Sequence, residues 1–91
     1  MSVKAVRTTD SDEFFKNGSP GLFLWRGDPP GRLMFYCPCG CGEICGITVK
    51  PVEPNGWEWD GNPDAPTCKP SILINRGHWH GYLTNGEFIS C

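Results

Sequence analysis

Six cysteines and two histidines are the residues of this 91-residue chain with the strongest claim to chemistry. Half of the thiols fall in one stretch, Cys37-Pro38-Cys39-Gly40-Cys41-Gly42. Glycine and proline let the backbone turn sharply enough to aim neighbouring sulfurs at one point, and the stretch has almost no side chain that would pack a core. Thiolates together with imidazoles suit zinc, which takes four such donors in a tetrahedron with sulfur at about 2.3 Å. Disulfides are the competing use of six thiols. Met1 to Phe15 is polar and carries no export signal, so the expected setting is a reducing cytoplasm, where metal binding is the better use.

Further ligands have to be delivered by the rest of the chain, and the turn chemistry near its end shows how. Asn85-Gly86 between two alternating segments is a two-residue hairpin signal, because both turn positions need positive φ. The register then follows: Thr84 faces Glu87, Leu83 faces Phe88, Tyr82 faces Ile89, Gly81 faces Ser90 and His80 faces Cys91. Directly opposed residues share a sheet face. His80 and Cys91 therefore point the same way, with His78 on the same side, while Trp79, Leu83 and Phe88 form an apolar face. The expected site is a structural Zn²⁺ held by ligands drawn from Cys37, Cys39, Cys41, His80 and Cys91, with His78 as a further candidate. Gaps of one or three residues between the thiols leave the choice among them open.

Around this site the sequence predicts a mainly β fold: a small zinc-stabilised antiparallel domain of zinc-ribbon-like hairpins with one short N-terminal helix. Twelve glycines and nine prolines favour short strands and many turns, and the length suits one domain over 1–91 with a marginal core. Residues 1–20 read as an arm: a weak edge strand over 2–7, then a helix of at most two turns. That helix is started by Asp10, with Glu13 three residues on, and stopped by Asn17-Gly18. Residues 21–91 read as the zinc-binding part. Strands are expected over 21–26, 32–36, 44–50 and 70–75, with a short one at Trp57-Glu58-Trp59 whose indoles cover the core. Cys45 shares a face with Ile47 and Val49 and reads as a core residue; Cys68 has no evident partner.

Three segments in combination resemble a family of small phage and bacterial proteins of unknown function, often labelled "ammonia monooxygenase" in phage genomes. They are Cys37-Pro38-Cys39-Gly40-Cys41-Gly42, then Trp57-Glu58-Trp59-Asp60-Gly61-Asn62 leading to Pro66-Thr67 and Pro70-Ser71-Ile72, and finally Trp79-His80-Gly81-Tyr82-Leu83-Thr84-Asn85-Gly86. The resemblance implies a metal site, and this chain departs from it at Gly77, where relatives outside phages often carry a cysteine, which shifts weight to His78 or Cys91 as the missing ligand. Ammonia oxidation would need redox-active copper or iron and an electron supply, which so short a chain does not provide.

A net charge of −2 provides no electrostatic footprint for a phosphate backbone, so nucleic acid is disfavoured as a partner, and no apolar run is long enough to span a membrane. A site saturated with thiolates has no open position for catalysis. The leading expectation is therefore a non-enzymatic zinc-binding phage accessory protein that binds a host or phage protein through exposed aromatics such as Trp25, Trp57 and Tyr82. By its genomic company it would act against a host defence system. The alternatives are a zinc-dependent hydrolase or deaminase-like enzyme with Glu43 or His78 beside a metal-bound water, and a zinc ribbon that binds nucleic acid through Arg26, Arg32, Lys50, Lys69 and Arg76.

Overall fold

The structure is a computed structural model that describes residues 2–74 and 79–90. Ten short elements follow one another: β1 (Ser2–Lys4), β2 (Val6–Arg7), α1 (Ser11–Asn17), β3 (Leu22–Arg26), β4 (Arg32–Tyr36), β5 (Ile44–Thr48), β6 (Glu58–Trp59), β7 (Cys68–Ile74), β8 (Trp79–Thr84) and β9 (Glu87–Ser90). The fold is mainly β with one short helix, as the sequence predicts. Its strands form two sheets, ordered β1-β9-β8-β7-β6 and β2-β3-β4-β5; the second is mixed, since β2 runs parallel to β3.

Alternation explains the layers. Phe23, Leu33, Phe35 and Ile47 from the four-stranded sheet meet Ile72, Ile74, Trp79, Leu83 and Phe88 from the five-stranded one, forming one buried cluster. The rings of Phe35 and Phe88 lie 4.9 Å apart, joining the two sheets. Leu22, Leu24 and Tyr36 alternate to the opposite face of the four-stranded sheet, where Phe14 of α1 packs on them. Tyr36 donates its hydroxyl to the Phe14 carbonyl at 2.7 Å, so the helix is anchored by both packing and a hydrogen bond.

The helix has the ends its sequence specifies. Asp10 accepts from the backbone N–H groups of Asp12 and Glu13, and Gly18 closes the helix with φ 71°. Glu13 does not complete a reciprocal capping box, because its carboxylate accepts from the Asn17 amide four residues on. The single strand expected over 2–7 becomes two. Ala5 is buried between them and donates its N–H to the Gly86 carbonyl at 2.8 Å, while β1 pairs with β9 and β2 with β3.

The terminal hairpin has the register computed from its turn, from Thr84 opposite Glu87 to Gly81 opposite Ser90, with Asn85 at φ 48° and Gly86 at φ 74°. The last expected pair, His80 with Cys91, lies outside the described residues, as does His78. No described helix is long and apolar enough to cross a membrane.

Candidate functional site

The thiol turn joins β4 to β5. The Cys37 N–H donates to the Glu43 carbonyl at 2.8 Å and the Gly40 N–H to the Cys37 carbonyl at 3.1 Å, while Gly40 and Gly42 take φ 89° and 84°. Only glycine adopts such angles without strain, which is what gathers the alternating thiols on one side. Cys37 is fully buried and Cys39 and Cys41 are exposed. Their three sulfurs lie within 4.8 Å of one another, with Cys37 and Cys39 3.2 Å apart. Two sulfurs on a tetrahedral zinc at about 2.3 Å each are separated by about 3.8 Å, so the three residues fit a metal ion of that kind.

Protonation follows the same layout. Burial pushes the Cys37 thiol up to about 12, whereas the Cys39 thiol is lowered, first by its hydrogen bond with Cys37. Cys45 is also raised, to about 11, by burial first and then by the negative charge that Cys41 can carry. It packs against the core, in keeping with its reading as a core residue.

Cys68 has no part in this group. It is buried opposite Leu83, and burial, followed by the nearby Asp60 carboxylate, raises its thiol from the ordinary 9.0 to about 12. A thiol with a raised folded-state pKa favours the fold while it is protonated. Its contribution is complete below pH 9.0 and is lost as pH rises through about 12. The melting temperature is therefore expected to fall as pH climbs past 9.0, and to fall less steeply in Cys68→Ala, which calorimetry across that range would check.

His80 is placed on a different partner. Its Nε2 lies 3.0 Å from Ser71 Oγ, and among the described residues the group of converging metal donors is Cys37, Cys39 and Cys41 without it. The pairing depends on an irregularity in β7. Cys68 pairs with Leu83 and Ile72 with Gly81, so three residues, Lys69 to Ser71, oppose the single Tyr82. Such a bulge bends the strand and re-aims side chains. Beyond it the alternation resumes: Ile72 and Ile74 are buried, and Leu73, opposite His80, is exposed. Ser71 and His80 thus meet diagonally on the outer face of the five-stranded sheet. The Trp57 indole N–H donates to the Ser71 carbonyl at 3.3 Å and steadies the bulge from the sheet edge.

A hydroxyl within hydrogen-bond reach of an imidazole nitrogen is the arrangement in which a histidine activates a serine as nucleophile. Ser71 is not among the residues that the sequence singles out, and the signal that could have found it is its place in Pro70-Ser71-Ile72, one of the segments that carry the resemblance together with that of His80. Of the aromatics expected as surface contacts, only Tyr82 is largely exposed, at 48%. Trp25 and Trp57 are partly buried against the core, with Trp25 stacked on Trp59 at 4.4 Å and donating to the Pro63 carbonyl. Trp57 and Trp59 cover the core as expected.

Residues 9–91 match a family model described as "Bacterial ubiquitination-like system serine protease (BubE)". No curated protein and no solved structure matches the chain. The match corrects two expectations. A non-enzymatic binding protein, and with it a chain more easily read as not an enzyme, gives way to a family named for a serine protease. The "ammonia monooxygenase" label has no counterpart in that description. A site closed by thiolates excludes catalysis at the metal and has no bearing on a hydroxyl elsewhere.

Proposed function

The chain belongs to the BubE family of bacterial ubiquitination-like system serine proteases, and from that premise we propose that it is a serine hydrolase that cleaves a peptide or isopeptide bond in such a system. Ser71 is the nucleophile and His80 the general base. The observation that carries this reading is the 3.0 Å approach of His80 Nε2 to Ser71 Oγ.

The chemistry then follows from these two groups. Ser71 Oγ attacks the scissile carbonyl carbon as its proton passes to His80 Nε2. The tetrahedral adduct collapses with expulsion of the amine, which takes that proton from His80, and the acyl group stays on Ser71. Water then attacks the ester, His80 accepts its proton and returns it to Ser71 Oγ, and a carboxylate leaves. The net change is hydrolysis of one amide bond. Trp57 acts as a positioning residue, since its indole holds the carbonyl of the nucleophile's own peptide unit.

The thiol group serves stability in this reading. Cys37, Cys39 and Cys41 would hold Zn²⁺, for which their spacing and softness suit them, and the sequence offers His78 and Cys91 for the remaining position. The metal supplies a cross-link for the β4–β5 turn and no step of the hydrolysis.

A fluorophosphonate reports the dyad without any knowledge of substrate. Wild-type protein is expected to take up one equivalent, mapped by peptide mass spectrometry to Ser71, and Ser71→Ala to take up none. Labelling absent from Ser71 in folded wild-type protein would falsify the assignment.

A further inference from the structure

Seven large apolar side chains are markedly exposed among the described residues: Val6, Phe15, Ile44, Val52, Leu73, Tyr82 and Ile89. The first four are scattered over β2, α1, β5 and a loop. Scattered exposure of that kind is ordinary. The last three share the outer face of the five-stranded sheet, at 59%, 48% and 38% exposure, in adjoining register: Leu73 opposite His80, and Tyr82 opposite Ile89. The helix covers the other sheet, so no described element lies over them.

Their relation to the dyad is specific. His80 faces Leu73 across the strand pair, and Tyr82 follows His80 by two residues on the same face, beside the bulge that carries Ser71. Ser71 and His80 span one diagonal of this patch, and Leu73 and Tyr82 stand at its other two corners. A carbonyl presented to Ser71 Oγ must therefore enter between two apolar side chains.

We propose that the substrate is a peptide segment with a large apolar side chain next to its scissile bond, received between Leu73 and Tyr82, with Ile89 extending the contact. This rests on the hydrolase reading above. The occupant is a peptide because the patch is continuous with the dyad, and it is apolar because covering the exposed surface of Leu73, Tyr82 and Ile89 is favourable. The surface is open and not a deep slot, so selectivity is modest; removing apolar contact from a binding site changes kcat/KM by about 10- to 200-fold. Leu73 and Tyr82 are specificity-determining residues in this scheme, distinct from the groups that move the proton.

The test is a set of fluorogenic peptides identical except for Leu, Ser or Asp on either side of the scissile bond. Wild-type protein is expected to favour Leu over Asp by about 10-fold or more in kcat/KM. Leu73→Ser and Tyr82→Ser should each pull that ratio towards unity, chiefly by raising KM for the Leu peptide. Near-UV circular dichroism would confirm that both variants fold, and the wild-type series stands without them. No Leu preference in the wild type, no cleavage of any peptide by protein that labels at Ser71, or an unchanged ratio in both folded variants overturns the proposal. Failure of fluorophosphonate to label Ser71 removes the hydrolase reading itself, so the two failures are told apart.

Discussion

Replacing Ser71 with alanine lowers kcat/KM for peptide cleavage by roughly 10⁴-fold or more, and His80→Ala lowers it to a similar extent. The two residues act as a unit, because the hydroxyl is a poor nucleophile without the imidazole and the imidazole has nothing to activate without the hydroxyl. The double variant is therefore expected to be no slower than either single one. Independent contributions would instead multiply, and that result would argue against a dyad. The fold should be nearly untouched. His80 is exposed and Ser71 half-buried, so the hydrogen bond between them contributes about 1 kcal/mol at most. Steady-state kinetics paired with chemical denaturation would separate the two effects: activity gone with stability kept supports the assignment, while parallel loss of both would mean that Ser71 and His80 serve packing.

The second large effect is expected on metal removal. Structural zinc contributes roughly 10 to 16 kcal/mol of apparent binding free energy in small peptides at neutral pH. A domain has a net stability of about 5 to 15 kcal/mol, so a strong chelator should unfold this protein. The thiol turn contributes little side-chain packing, since Cys39 and Cys41 are exposed and the residues between the thiols are glycine and proline. Cys37 is fully buried in the core cluster, so loss of order at the turn would propagate between the sheets. Cys39→Ser and Cys41→Ser should reproduce the effect of the chelator, because each removes a donor without opening a cavity. Elemental analysis and thermal melting check this together: protein that melts unchanged in chelator and carries no zinc would refute it.

How far the sequence reaches depends on how local each signal is. The hairpin register was readable to the residue because the Asn85-Gly86 turn alone sets it. The thiol group was readable because its members lie within five residues, and the helix because Asp10 and Gly18 mark its two ends. The Ser71–His80 pair was not, because it depends on a bulge. Treating 70–75 as a regular strand gives no reason to single out Ser71, and a lone serine between proline and isoleucine has no spacing pattern. Grouping His80 with the thiols rests on its place opposite Cys91 in the hairpin, and that register does not name Ser71, the neighbour on the next strand. Likewise, nothing in Ser2 to Arg7 marks Ala5 as the place where the chain leaves one sheet for the other.

That crossing has a kinetic consequence. Ser2 pairs with Ile89, and β9 is the strand that links β1 to the rest of its sheet. Most of the chain must be in place before β1 has an edge to join, and contacts of such high sequence separation slow folding. Until then β9 presents unpaired backbone groups, the kind of edge that recruits other chains. Docking of β1 is thus the step that closes the outer edge of β9.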